Sequence, residues 1–142
     1  MKSNMILIAY QDDLGLRSLT TFFHGLGYRI ETARTISEMI PKVRKGKSDV
    51  LLLDDELEGV KAFDLVPLLK HIRPRLQVIV VSSETSLEKV KRLREAGIFY
   101  HATKPIDLEE VRSAVGCAFE KIEREGLKAR GIPFWVPGRV PA

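Results

Sequence analysis

Four short polar strings follow apolar runs along this chain: Gln11-Asp12-Asp13, Asp54-Asp55-Glu56, Ser82-Ser83 and Thr103-Lys104-Pro105. Carboxylates such as Asp12 and Asp54, brought within a few ångströms of each other, repel unless a cation or a proton intervenes. An all-oxygen donor set favours a hard divalent ion. Magnesium suits it best, because Mg2+ takes few protein carboxylates and completes its shell with waters and phosphate oxygens. The ammonium of Lys104 and the hydroxyl of Ser82 are suited to hold the phosphoryl oxygens that remain. The strings therefore point to phosphoryl chemistry at a Mg2+ site, provided that the fold brings them together.

The elements that must do so are legible in the apolar pattern. Met5 to Tyr10, Val50 to Leu53, Val78 to Val81 and the weaker Ile98 to Ala102 are of strand length and lack in/out alternation. Such runs belong to strands buried on both faces of a parallel sheet. Tyr28 to Thr32 alternates more and reads as an edge strand. Between the runs, Leu16, Leu19, Phe22, Phe23 and Leu26 define one helix face, ended by Gly25 and Gly27. Thr35 with Glu38 opens a second helix, which Gly46 stops; Ala62 to Ile72 forms a third before Pro74. Thr85 with Glu88 caps a fourth, with Leu87, Val90, Leu93 and Ala96 inside, and Asp107 with Glu110 caps a fifth. Pro41 and Pro67 predict late starts or kinks in the second and third helices.

Five strands alternating with five helices, joined by right-handed crossovers, make a doubly wound α/β domain with helices on both faces. In such a sheet the ligand site lies outside the carboxyl ends of the strands. All four polar strings sit there. Packing alone does not call for acids, a hydroxyl and an ammonium at one rim.

The 142 residues, 44% hydrophobic and 30% charged, fit one domain with a proper core. With 23 Lys and Arg against 19 Asp and Glu, the net charge of +4 is spread without a basic block, which argues against direct nucleic-acid binding. Lys89, Lys91, Arg92 and Arg94 read as the wet face of the fourth helix. The single cysteine, Cys117, excludes an internal disulfide and reads as a small buried hydrophobe. No apolar run approaches the roughly 20 residues that span a bilayer, and the N-terminus does not read as a secretory signal, so a cytoplasmic protein is expected. Residues 1–125 are expected to form the domain. Residues 126–142, rich in Gly and Pro and carrying Phe134 and Trp135, are expected to be a tail or the start of a linker.

The four strings, in this order, with Gly59 five residues after Asp54, resemble the receiver domain of two-component response regulators over about residues 5 to 122. The resemblance implies a flavodoxin-like, five-stranded parallel sheet of order 2-1-3-4-5. It makes Asp54 the phosphoacceptor for a sensor histidine kinase or a phosphotransfer protein. It makes Asp12, Asp54 and the backbone carbonyl of Glu56 the Mg2+ ligands, with Gln11 reaching the metal through a water. It assigns Ser82 and Lys104 to the phosphoryl oxygens, makes Ser82 and His101 the switch residues, and puts a cis peptide before Pro105. The output surface would be the face of the fourth helix, fifth strand and fifth helix, a possible homodimer contact, with the output partner unnamed. The chain would not be an enzyme beyond promoting its own phosphorylation and dephosphorylation, since no added nucleophile or general base is present.

Some positions depart from the family pattern. Gln11 stands where an acid is usual, which removes one negative charge and predicts weaker Mg2+ binding. Asp55 replaces an apolar residue beside the acceptor and is expected to alter kinase docking or phosphoryl lifetime. Glu58 replaces a common proline and is expected to loosen the loop after Asp54. His101 replaces a Tyr or Phe, with a charge that can respond to pH near neutrality. Gln11, Asp55 and Glu58 motivate a second reading: a pseudo-receiver that acts as a phosphorylation-independent protein-interaction module.

Overall fold

The computed structural model describes residues 4–131. The aromatic pair Phe134 and Trp135 lies outside the described residues. The five sheet strands are β1 (Met5–Ala9), β2 (Arg29–Ala33), β3 (Val50–Asp54), β4 (Gln77–Ser82) and β5 (Tyr100–Thr103). They alternate with α1 (Asp13–Gly25), α2 (Ile36–Lys45), α3 (Ala62–Ile72), α4 (Leu87–Glu95) and α5 (Leu108–Ala129). All sheet pairings are parallel and the order is β2-β1-β3-β4-β5. This is the doubly wound arrangement expected from the alternation of elements, in the flavodoxin-like order that the resemblance implies. Outside the sheet, Glu56–Leu57 pairs antiparallel with Val60–Lys61 in a small hairpin between β3 and α3.

Every residue of β3 and β4 is buried, as unbroken apolar runs require of central strands. Successive side chains face opposite layers. Leu7, Leu51, Leu53, Val78 and Val80 pack with Met39, Val43, Leu65, Leu69 and Leu93 on one side. Ile6, Ile8, Leu52, Ile79 and Val81 pack with Leu19, Phe23, Val111 and Val115 on the other. Two apolar layers thus clamp a sheet whose carboxyl ends are left to polar residues.

Local chemistry sets the helix ends. Thr35 caps α2 by accepting from the Glu38 N–H, and Gly46 closes it in the left-handed conformation, φ 76°. Asp107 caps α5 by accepting from the Glu109 and Glu110 N–H groups. The fourth helix is capped one residue later than expected: Ser86, not Thr85, accepts from the Lys89 N–H at 3.4 Å. Leu87, expected inside, is the first residue of α4 and is 87% exposed, and Leu93 is the buried residue of that helix.

Both prolines lie within their helices, with no late start. Each is exposed, so the carbonyl deprived of a partner one turn back is near water, which limits the cost. Cys117 is exposed, contrary to its expected burial. It precedes buried Ala118 by one residue, about 100° round the helix. The fifth helix also runs through Gly126 to Ala129, past the expected start of the tail. A glycine costs a helix only about 1 kcal/mol relative to alanine and does not by itself end one.

Candidate functional site

Asp54 ends β3 and is 4% exposed at the carboxyl rim of the sheet. Three donors hold its carboxylate. Lys104 Nζ donates to Oδ1 at 2.8 Å, the Asp55 N–H to Oδ1 at 2.9 Å, and the Gln11 N–H to Oδ2 at 3.1 Å. The last of these ties the end of β1 to the end of β3 directly at the acid. Burial pushes the Asp54 carboxyl above its usual range, against the lowering pull of Lys104 and the Gln11 N–H.

Lys104 is positioned by β5. Its N–H donates to the Ser82 carbonyl at 2.9 Å, extending the β4–β5 pairing, and its peptide bond to Pro105 is cis. Its Nζ lies 5.2 Å from the centre of the Tyr10 ring, a cation–π contact with a buried aromatic. Burial alone would lower the Lys104 pKa, but Asp54, Tyr10 and Asp55 outweigh it and hold the group firmly protonated. Tyr10 is pushed up to about 12 by burial, against Lys104, so its phenol is neutral. Gly15 makes room for that ring: a Cβ there would lie 2.5 Å from Tyr10 Cε2.

Asp55 takes part directly. Its Oδ1 accepts from Lys104 Nζ at 3.3 Å, and its Oδ2 accepts from both the N–H and the Oγ of Ser83, each at 3.3 Å. Burial pushes its carboxyl up, but the Ser83 N–H, Asp54 and Lys104 prevail and hold it below the usual range. One ammonium therefore serves two adjacent carboxylates.

The other expected site residues are distributed as follows. Asp12 is at the rim, exposed, and its Oδ2 caps α1 by accepting from the Gly15 N–H at 2.8 Å. Gln11 is exposed; its Oε1 accepts from the Glu58 N–H at 2.6 Å, while Glu58 Oε1 accepts from the Ile36 N–H at the start of α2, also at 2.6 Å. Glu58 thus tethers the loop that it was expected to loosen, and does so at φ 50°. Ser82 is 2% exposed, and its Oγ accepts from the Glu84 N–H at 2.8 Å. Glu56 begins the small hairpin, its carboxylate 3.5 Å from Lys61 Nζ. His101 is half-buried in β5, and its Nε2 finds no hydrogen-bond partner among the described residues. Burial and then Arg94 lower its pKa, with Glu110 and Glu84 opposing, so the ring is neutral at pH 7.

Sequence reasoning gave no role to Tyr10 or Ser83 and missed the Gln11–Glu58–Ile36 chain. Tyr10 was read as the last strand residue, yet an aromatic just before a polar string at a strand end is also placed to floor a site.

Among the described residues no three His, Cys, Asp or Glu side chains form a metal cage. An octahedral Mg2+ that keeps several waters does not need one. The rim's chemistry suits such an ion, since the carboxylates of Asp54 and Asp55 share one ammonium and every candidate ligand is oxygen.

Fold and rim together define a parallel α/β domain with a buried acid paired to a lysine at its carboxyl edge. Residues 6–116 match the family model described as the response regulator receiver domain, and the chain belongs to that family. It is 34% identical over 116 residues to the DNA-binding transcriptional regulator NtrC of Azospirillum brasilense, covering 81% of this chain and 24% of that protein. It is 29% identical to sporulation initiation phosphotransferase F of Bacillus subtilis, covering 81% of this chain and 93% of that one. The chain thus spans about a quarter of the NtrC relative. A receiver domain protein of Methanospirillum hungatei superposes with a TM-score of 0.82 at 25% identity, covering 88% of this chain and all of that one. The beryllofluoride-activated NtrC4 receiver domain dimer shares the fold, with a TM-score of 0.77 at 22% identity, over 83% of this chain and 98% of that one.

Proposed function

We propose that this receiver domain accepts a phosphoryl group on Asp54 from the phosphohistidine of a sensor kinase or phosphotransfer protein, in a Mg2+-dependent reaction. The observation that carries the reading is the buried Asp54 carboxylate with Lys104 Nζ 2.8 Å away at an oxygen-rich rim. A carboxylate oxygen of Asp54 attacks phosphorus, forming the O–P bond as the N–P bond of the donor breaks and its electron pair returns to the imidazole nitrogen. No general base is required, because the nucleophile carries no proton to lose when ionised. Lys104 is placed to offset charge on the equatorial oxygens. Ser82 Oγ accepts from the Glu84 N–H, and its O–H can donate to another oxygen.

Asp12, Asp54 and the Glu56 carbonyl would hold Mg2+, with Gln11 contacting it through a water. When bound, the ion supplies charge neutralisation at the phosphoryl oxygens. Gln11 Oε1 accepts from the Glu58 N–H through one of its two lone pairs, and the other is the group that can accept from that water.

The switch is assigned to Ser82 and His101, and the output to the α4–β5–α5 face, where a homodimer could form. Residues 1–125 are assigned to the receiver, with 126–142 as a tail or linker toward an output domain. No described helix is long and apolar enough to cross a membrane; a cytoplasmic setting is part of the proposal because the phosphoryl donor would act there. A second reading, the pseudo-receiver, is favoured by one observation: Asp55 shares the Lys104 ammonium.

Incubation with Mg2+ and acetyl phosphate, followed by mass spectrometry, tests the choice. Wild type should gain one phosphoryl group and Asp54→Ala should gain none. An unmodified wild type favours the pseudo-receiver; an undiminished gain in Asp54→Ala removes Asp54 as the acceptor.

A further inference from the structure

A phosphoryl group on Asp54 replaces the single negative charge of the carboxylate by about two and brings three strong acceptor oxygens. Those oxygens need donors, and the donors around the carboxylate are few. The Asp55 N–H already bonds Asp54 Oδ1, and Ser82, whose Oγ accepts from the Glu84 N–H, has its one O–H to give. There remain Lys104 Nζ and the N–H and Oγ of Ser83, and the Asp55 carboxylate is hydrogen-bonded to all three. Asp55 is not a loose surface acid: its side chain is 31% exposed, and both of its oxygens are engaged. In charge and in acceptor geometry it stands in for part of a phosphoryl group before any has arrived.

We propose that Asp55 is a built-in competitor for the phosphoryl subsite: its carboxylate occupies the Lys104 and Ser83 donors, and phosphoryl on Asp54 must displace it. The inference rests on the receiver reading above and goes beyond it, by making the residue beside the acceptor a selectivity element that sets how readily the site is filled. Displacement costs three hydrogen bonds, one of them to an ammonium, and leaves Asp55 facing a second anion.

The test uses beryllofluoride, a non-covalent phosphoryl mimic, titrated by amide NMR into wild type, Asp55→Asn and Asp55→Leu. Each titration is run at Mg2+ saturating for that variant, because Asp55 also contributes to the field that attracts the cation. Removing the charge frees donors to an anion, so affinity for beryllofluoride should rise about tenfold in Asp55→Leu, with Asp55→Asn in between. In metal-free protein the Ser83 amide resonance should move and lose exchange protection in Asp55→Leu. An unmoved Ser83 amide, or equal or weaker binding by the variants when wild type binds, overturns the proposal and leaves Asp54 as the acceptor. Binding by Asp55→Leu where wild type shows none supports it, with Asp55 then an outright block. Failure of all three proteins overturns this inference and the receiver chemistry together. Asp55→Asn, close in shape, serves should Asp55→Leu fail to fold, and Asp54→Ala should bind in neither background.

Discussion

Two side chains decide the electrostatics of the rim. Among the described residues Lys104 is the only cation bonded to Asp54, and its side chain is 30% exposed where that of Asp54 is 6% exposed. Replacing it by Met should cost about 1–2 kcal/mol at pH 7, less than the loss of a partner from a fully buried pair. Without the ammonium, Asp54 rises further above its ordinary pKa. A group with a raised folded pKa favours folding in its protonated form, so the deficit should shrink as pH falls from neutrality toward the ordinary carboxylate range. Urea unfolding of Lys104→Met at several pH values checks this. Tyr10 supplies the opposite end of the scale. Its phenol is raised from 10.0 to about 12, so its contribution is intact below pH 10 and lost as pH climbs through 12. Tyr10→Phe should therefore lose less stability than wild type between pH 10 and 12, measured by denaturant unfolding, and should lack the late tyrosinate absorbance step.

At the scale of elements, loops are fixed by backbone donors that the helices and strands leave free. The start of α2 is capped twice, by its own Thr35 and by Glu58 from the loop after β3. Glu58→Ala should cost about 1 kcal/mol, as loss of a cap does, and should raise hydrogen exchange at Ile36 and Glu58 while sparing the sheet. This contact explains why the expectation for Glu58 failed. A missing proline was read as lost stiffness, but a carboxylate that reaches residue 36 from residue 58 restores it through space, and no local spacing announces such a contact. The strands were legible because unbroken apolar runs such as Val50 to Leu53 have few other uses. The caps of α2 and α5 were legible because Thr35 and Asp107 stand three residues before Glu38 and Glu110. The cap of α4 was misplaced by one because Thr85 and Ser86 both suit the role, and the Glu84 carboxylate accepting from the Ser86 N–H selects between them. The site was legible as a set of strand-end residues; the partner each would choose was not, as Asp55 and Ser83 show.

Taken together, the described residues form a sheet clamped by two apolar layers that do not share buried side chains. Leu51 faces the α2–α3–α4 layer and Ile79 the α1–α5 layer, and both are fully buried. Leu51→Ala should cost about 2–5 kcal/mol and Ile79→Val about 0.5–1.5 kcal/mol. Because they pack into separate layers, the double variant should come close to the sum, measured by thermal or urea unfolding. A large departure would mean that the sheet transmits repacking from one layer to the other. The same two-sided build leaves the outer flank of α5 facing water, and with it Cys117, the chain's one thiol. A single nitroxide or fluorophore can therefore be attached without engineering the sequence. Paired copies would then carry two labels, whose separation gives a ruler for α5-to-α5 assembly before and after phosphorylation.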